Sequence, residues 1–425
     1  MNAEQVIEAI HGSYLKGSKH GLRNTQMLLE RLCPQCRVPV IHVAGTNGKG
    51  STCAMLESIL RAAGYRTGLY TSPFLQMYHE RIRLDGLPLT DDLMVKYGNP
   101  LVEAAYALEA EDVQVTPFEM GTVLALTAFE GEQVDVAIIE VGLGGRLDPT
   151  NVVSPCLCAI TAIGLDHMNL LGNTLTEIAG EKAGIIKPGV PVVCQPAAEE
   201  VAAVFAEKAA EMHAPLIQLE MSMVTAAHAD AYGSVISCQL QNTWEQVNIP
   251  LPGAHQQKNA LTVLALVEQL RQQGWNIPDK AVVDGISATR WLARLEWCGN
   301  VLIDGAHNPQ GIEALRDYVQ AYLPDKRRIL LTGVLEDKLQ PDMLKMLADV
   351  GEKQVTVTPD TPRAMAAQEL AQRLNHIGGA ARAADSLASG LAIARELAGE
   401  DGVVIAAGSL YFAGGLRNVL GLPWR

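Results

Sequence analysis

The chain has 425 residues, of which 48% are hydrophobic and 19% charged, enough for a packed core and for two or three domains. Its 47 acidic against 33 basic side chains give a formal net charge of −14, which argues against a nucleic-acid partner or an anionic membrane surface. Met1-Asn2-Ala3-Glu4-Gln5 lacks a basic segment leading into an apolar core, and no apolar run approaches the ~20 residues of a bilayer span, so a cytoplasmic protein is expected.

In chain order, the first local signal is Cys33-Pro34-Gln35-Cys36, which has the spacing of a zinc or redox pair. A structural zinc site takes four ligands, and no second CxxC or HxxxH follows, so coincidence is the preferred reading. Most other cysteines lie in apolar strand-like runs (Cys156, Cys158, Cys194), where buried reduced thiols are expected. A β-branched apolar run over 38–44 predicts a buried strand. It leads into Gly45-Thr46-Asn47-Gly48-Lys49-Gly50-Ser51-Thr52 and a helix over 52–63. Glycines let backbone N–H groups turn towards anionic oxygens, and the helix N-terminus adds positive potential. Lys49 supplies a point charge, and a hydroxyl is placed to meet Mg²⁺. The spacing departs from the common G-x-x-x-x-G-K-[ST] pattern, whose first glycine would fall at Val43, and Gly50 follows the lysine where a hydroxyl residue is usual. A strand-to-helix turn that uses glycine only for its backbone angles is the alternative. Strand, turn, lysine, hydroxyl pair and helix in this order favour phosphate binding.

Further strands are predicted over 66–70, 134–141, 155–163 and 190–194, with helices over 90–109, 118–131 and 197–213. This alternation predicts parallel sheets built from crossover units, with chemistry at the strand C-termini. The 134–141 strand is apolar until Glu140 and runs on into Gly142-Leu143-Gly144-Gly145-Arg146-Leu147-Asp148. An acid at the end of a buried strand, downstream of a phosphate loop, is where a P-loop enzyme places its metal-binding carboxylate; a solvated strand-end acid is the plainer alternative. A dinucleotide-binding G-x-G-x-x-G turn is rejected, because its third glycine would fall at Leu147. The 155–163 strand leads to Asp166-His167, a ligand or supporting position as readily as a structural one. Lys182 sits in an apolar, small-residue helix, either paired with Glu181 or desolvated into a neutral, reactive amine.

Residues 221–251 change to short alternating runs, which predict hairpins on the edge of the first domain, before a helix over 254–272. After Trp297 the pattern restarts, with strands over 300–304, 328–333, 354–358 and 403–407 and the turn Gly305-Ala306-His307-Asn308-Pro309 after the first of them. The expected architecture is α/β: an N-terminal P-loop-type parallel-sheet ATPase domain over 1–290, then a smaller Rossmann-like α/β domain over 296–425.

These stretches, together with Thr71-Ser72-Pro73, Glu80-Arg81, Phe118-Glu119, Glu181-Lys182-Ala183-Gly184-Ile185-Ile186-Lys187, His255-Gln256, Asn259-Ala260, Arg294-Leu295-Glu296, Asp304 with its turn and Gly408-Ser409-Leu410-Tyr411, resemble folylpolyglutamate synthases. Bacterial members of that family often double as dihydrofolate synthases and belong to the wider Mur ligase superfamily. The resemblance implies a ligase that uses ATP to phosphorylate a carboxylate of folate or dihydropteroate, after which the amino group of L-glutamate displaces the phosphate. It implies Gly48, Lys49, Gly50 and Ser51 around the ATP phosphates, with Asn259, Arg294 and Asp304 as further ATP contacts. Two Mg²⁺ ions are implied, one on Ser72 and Glu140, the other touching Glu140 and His167. Lys182 resembles a lysine that is carbamylated in the family. Lys49, Lys182, His167 and His307 carry the implied catalytic roles, with His307 and Ser409 near the incoming glutamate. Thr116, Phe118, Leu147 and Asp148 resemble pterin-contacting positions, and a monomer is implied. The chain departs from the family's usual pattern at Phe74 (commonly His), Leu292-Ala293 (commonly Pro-Gly) and Pro149 (commonly Ala), none of them a metal or phosphate ligand.

A cell-wall peptide ligase of the Mur type is a close rival but normally carries an N-terminal domain for a nucleotide sugar, and only about 40 residues precede the phosphate loop. A nucleotide-gated switch ATPase is the rival of another class. It leaves the 304–309 turn without a role, and no [NT]-K-x-D guanine motif is present.

Overall fold

The computed structural model describes residues 1–13 and 21–424. Its apolar runs become two largely parallel sheets, whose central strands are buried on both faces and therefore carry no polar alternation. The first sheet comprises β1 (Val40–Ala44), β2 (Thr67–Tyr70), β3 (Ile82–Leu84), β4 (Leu87–Pro88), β5 (Val136–Glu140), β6 (Leu157–Ile160), β7 (Val192–Cys194) and β8 (Leu216–Gln218), in the order β4-β3-β2-β5-β1-β6-β7-β8. Only the β2–β3 and β3–β4 pairs, at one edge, are antiparallel. Successive side chains point to opposite faces. Ile41, Val43, Val136 and Ile138 enter one core with helices Lys49–Ala62 and His255–Gln272, while Val40, Ala137 and Ile139 enter another with helices Ala3–Gly12 and Pro117–Gly131.

The hairpins expected over 221–251 form a separate antiparallel sheet, β9 (Val224–Ala229), β10 (Ser234–Gln239) and β11 (Thr243–Ile249), rather than extending the large one. Ile236, Cys238, Trp244 and Val247 fasten it to the core beneath helix His255–Gln272. The second parallel sheet contains β12 (Glu296–Cys298), β13 (Val301–Ile303), β14 (Arg328–Thr332), β15 (Lys353–Thr356), β16 (Ala381–Ala383) and β17 (Val403–Ala407), in the order β12-β13-β17-β14-β15-β16. Here only β12 is antiparallel to its neighbour. Its two faces fill separate clusters, Leu302, Leu330 and Ile405 on one side, Ile303, Leu331 and Ala406 on the other.

Two features position the site. β1 lies between β5 and β6, so the chain crosses to either side of it, and a crevice opens at their C-terminal ends. The helix expected from residue 52 begins already at Lys49, because Gly48, its N-cap, takes a left-handed conformation (φ 88°) that starts the turn at once.

Candidate active site

The C-terminal ends of both sheets open onto one cavity with two lobes, of about 260 Å³ and about 810 Å³, that share Ser72, Gly142, His167 and His307 as walls. The smaller lobe is built on the loop after β1. A Cβ at Gly48 would run into the Asn259 amide, and one at Gly50 would stand 2.9 Å from Trp291 Nε1, so the loop needs glycine for close approach as well as for its turn. The first N–H groups of the 14-residue helix Lys49–Ala62 have no carbonyl within the helix to receive them and open on this lobe. Lys49 Nζ donates to the carbonyls of Gly45 (3.0 Å) and Thr46 (3.2 Å) and lies 4.0 Å from Glu140 Oε1. Such an arrangement can receive a polyphosphate, and its second wall is a chain of buried amides. Gln195 donates to Asn259 Oδ1 (3.0 Å), Asn259 to Gln256 Oε1 (2.8 Å), and Gln256 to Ser51 Oγ (3.3 Å).

Glu140 ends β5, the strand next to β1, and is buried. Burial pushes its carboxyl up, and the Lys49 ammonium and the Ser72 N–H (3.2 Å to Oε2) work against that rise. An anionic oxygen beside the Ser72 hydroxyl, at the mouth of a phosphate loop, is a donor set suited to Mg²⁺, which takes oxygen ligands and retains water. Lys182 is likewise buried, at the end of helix Leu175–Ala183, and donates to the same Gly45 carbonyl (3.0 Å). Burial, then the neighbouring Lys49, lowers its amine to about 7.

Asp166 and His167 follow β6. His167 is held in the left-handed region (φ 49°), a conformation that costs a non-glycine residue energy and that tends to persist at functional sites. Burial and then Lys338 lower its imidazole to about 4, so the ring is neutral near pH 7. Lys338 Nζ stands 2.5 Å from Asp166 Oδ1 and 2.7 Å from His167 Nε2. An ammonium has only protons to give, so His167 Nε2 is the acceptor and the ring proton resides on Nδ1. Burial disfavours the Asp166 carboxylate, yet Lys338, His167 and His307 together hold it well below the usual carboxylate range. An ammonium thus already sits between Asp166 and His167, and a second Mg²⁺ at His167 requires Lys338 to move.

From the second sheet, Asp304 follows β13 and accepts from the N–H groups of Leu295 (2.8 Å) and Ala306 (2.8 Å), which pins the linker and the turn to each other. Burial raises its carboxyl against the pull of Arg294. His307 Nδ1 donates to the Gly305 carbonyl (2.8 Å), leaving Nε2 as a free acceptor in a ring lowered by burial and Lys338 to about 4. Asn308, N-cap of helix Pro309–Tyr322, exchanges amide hydrogen bonds with Asn47 of the phosphate loop (3.0 and 3.2 Å).

The larger lobe collects Thr116, Phe118, Leu147, Asp148 and Ser409. Thr116 caps helix Pro117–Gly131, and the Phe118 ring covers Gly142, where any Cβ would collide with it. Leu147 presents an exposed apolar side chain. Asp148 is a loop anchor: its oxygens accept from Leu143 N–H (2.7 Å), Thr150 N–H (3.0 Å) and the Thr150 hydroxyl (2.5 Å). Ser409 caps helix Leu410–Val419 through Phe412 N–H (3.1 Å). All the catalytic, nucleotide, metal and substrate positions implied by the resemblance therefore line one or other lobe. Sequence reasoning missed Lys338, Asn47 and Asn308 as site members, and Arg81, whose guanidinium stacks on Tyr78 (5.4 Å) at the wall of the larger lobe. Lys338 ends the charged Glu336–Lys338 turn beyond β14 and, unlike Glu140, does not close an apolar strand.

A Mur ligase middle-domain model matches residues 43–267, and a Mur ligase glutamate-ligase-domain model matches residues 293–410. The dihydrofolate synthase/folylpolyglutamate synthase of Bacillus subtilis (strain 168) is 36% identical over 422 residues, covering 97% of each chain. Among solved structures, Mycobacterium tuberculosis folylpolyglutamate synthase complexed with ADP superposes with a TM-score of 0.91 at 31% identity, over 99% of this chain and 98% of that one. Escherichia coli FolC in complex with DHPP and ADP gives 0.87 at 31% identity, over 99% and 98%.

Proposed function

The chain belongs to the folylpolyglutamate synthase family of the Mur ligases, ATP-dependent ligases, and from this we propose that it joins L-glutamate to folates and to dihydropteroate. A carboxylate is a poor electrophile, because its oxygen is a poor leaving group. Transfer of the γ-phosphoryl group of ATP makes an acyl phosphate and ADP; the glutamate amine then forms the amide bond, and phosphate leaves. Bringing a triphosphate to a carboxylate is opposed by charge, so the site must supply cations and aligned N–H groups.

The 45–51 loop and the helix behind it would hold the phosphates, with Lys49 as the mobile charge. Asn259, Arg294 and Asp304 would close around the nucleotide from the amide wall and the linker. Ser72 and Glu140 would hold one Mg²⁺, which supplies charge neutralisation between ATP and the acceptor carboxylate. His307, with Nε2 unprotonated, is placed to accept a proton from the incoming amine, and Ser409 lies beside it on the same wall. The larger lobe would take the pterin and its glutamate tail, with Phe118 and Leu147 for the ring and Arg81 and Lys338 for carboxylates. Lys182, unprotonated in a substantial fraction near pH 7, is chemically ready to take up CO₂: an N–C bond forms, a proton leaves, and a buried cation becomes an anion facing Lys49. We assign the ATP-binding unit to 1–290 and the glutamate-ligase unit to 296–425, acting as a cytoplasmic monomer. No helix among the described residues is long and apolar enough to cross a membrane.

One observation carries the reading: a phosphate loop, a buried strand-end acid and a turn from a second sheet meet in one cavity. An ADP-release assay with dihydropteroate, tetrahydrofolate or a UDP-linked peptide, each with and without L-glutamate, tests it. Release should need glutamate together with a pteridine acceptor. Release with the UDP-linked peptide would indicate a cell-wall ligase, and release without any acceptor a nucleotide switch.

A further inference from the structure

Away from the cavity, the Cys33-Pro34-Gln35-Cys36 turn meets a third group that the sequence places far away. The two Sγ atoms and a carboxylate oxygen of Glu130 all lie within 4.8 Å of one another. We propose that Cys33, Cys36 and Glu130 bind a thiophilic divalent cation of the zinc class, clamping the N-terminal helices to the first sheet's helical layer.

The surroundings are arranged for a cation. Cys33 is the C-cap of helix Arg23–Leu32, and Glu130 is in the last turn of helix Pro117–Gly131, so the negative ends of two helix dipoles converge here. Burial pushes both thiols up, Cys36 to about 12, and after burial the groups acting on them are each other and Glu130, with no lysine or arginine among those groups. Glu130 is oriented by its own partners: Oε2 accepts from the N–H groups of Arg37 (2.8 Å) and Val38 (3.1 Å), which fixes the carboxylate beside the sulfurs. The Val38 N–H also acts on the Cys36 sulfur and favours its thiolate. Such N–H groups behind the donor atoms fix ligand direction in metal sites.

A disulfide-exchange role is less suited to this corner, because a nucleophilic cysteine needs a positive neighbour and these thiols have a carboxylate instead. Metal uptake reverses that disadvantage: two S–M bonds form, two thiol protons leave to solvent, and the dication meets three anionic ligands. Pro34 and Gln35 are exposed, so water can complete four-fold coordination, the open arrangement of zinc with three protein ligands. Ligand atoms of a tetrahedral zinc ion are roughly 3.5–3.8 Å apart, for bonds of about 2.0–2.3 Å, so a contraction of at most about 1.3 Å closes the site.

The full chain, reduced and stripped with chelator, is titrated with Co²⁺ and then with Zn²⁺. One equivalent of Co²⁺ should produce sulfur-to-cobalt charge-transfer absorption that Zn²⁺ bleaches, and Zn²⁺ should raise the melting temperature. Cys33→Ser and Cys36→Ser should each remove most of the absorption and the Zn²⁺ shift, while ADP release in zinc-free, Mg²⁺-containing buffer, after the chelator is removed, shows that the variants are folded. Glu130→Gln should keep the absorption but weaken affinity by about tenfold or more. Absence of charge-transfer absorption in the parent, its persistence in the Cys33→Ser/Cys36→Ser double variant, or a Cys33–Cys36 disulfide as the sole chemistry of the pair would overturn the assignment.

Discussion

Lys49 and Lys182 both donate to the Gly45 carbonyl oxygen, each at 3.0 Å. Two ammonium groups on one oxygen in a buried corner repel each other, and an arriving anion or the loss of one proton relieves that repulsion. Lys49→Ala should abolish ADP release while far-ultraviolet circular dichroism stays that of the parent; retained turnover would remove Lys49 from the phosphate site. Lys182 responds to pH in a definite direction. Its amine is lowered from 10.5 to about 7 by burial and by Lys49, and only the unprotonated form attacks CO₂. Bicarbonate should therefore stimulate turnover increasingly as pH rises through about 7, and a carboxylate adduct on the Lys182 peptide should grow over the same range. A bicarbonate response that is flat with pH would exclude this chemistry. Stability follows the same sign. The folded chain holds fewer protons on Lys182 than the unfolded chain between about 7 and 10.5, so the cost of burying it is full below this window and declines as pH rises through it.

Between elements, glycine sets how closely the helices behind the phosphate loop can approach. Helix Asp279–Ser287 crosses helix Lys49–Ala62 at Gly285, where a Cβ would stand 2.5 Å from Ile59 Cα and 2.7 Å from its nitrogen. Helical backbone cannot swing aside as a side chain does, so Gly285→Ala should cost about 1–3 kcal/mol. The measurement is the urea midpoint, which should fall with its slope unchanged. The same packing explains which elements could be read from sequence. β1, β5 and β17 are buried at every position, and their largely apolar runs announce them. β3, β4 and β16 are 3, 2 and 3 residues long and partly exposed, and the partner strand rather than a local pattern makes them strands. In the site, Glu140 and Asp304 were legible as charges that close apolar strands, and Asp166 as an acid beside a histidine in the loop beyond one. Lys338 was not, because it ends a charged Glu336-Asp337-Lys338 turn that reads as solvated surface. Its burial comes from the first domain, which no local pattern records.

At the scale of the molecule, the two parallel sheets face each other through their C-terminal edges. Beside the cavity, Leu75 packs against the second sheet's core and Gln76 bonds Arg417 and Asn418, and across it the ties are polar. Asn47 pairs with Asn308 and Gln310, and Lys338 pairs with Asp166. Nearby, Arg83 lies between Trp291 of the linker (4.5 Å) and Trp424 at the far end of the chain (4.9 Å). The Lys338–Asp166 pair is the buried one, with side chains 7% and 11% exposed, so it is the tie whose loss is felt most. Lys338→Met preserves bulk and removes the charge, leaving half of a buried pair, which costs about 3–5 kcal/mol if the molecule stays closed. Opening avoids that cost by returning Asp166 to water. The expected signature is thus a larger radius of gyration in solution scattering with a loss of kcat/KM, while each domain stays folded. Lys338→Met/Asp166→Asn removes both charges and keeps an oxygen for Asn308, so its radius should return towards that of the parent. Acid gives an independent handle. Asp166 is held well below the usual carboxylate range, so its contribution is complete above its unfolded value of 3.8 and is lost only as pH falls through the lower folded value. Moderate acidification should therefore leave the parent closed; a single variant that scatters like the parent would show that the ion pair does not hold the two halves together.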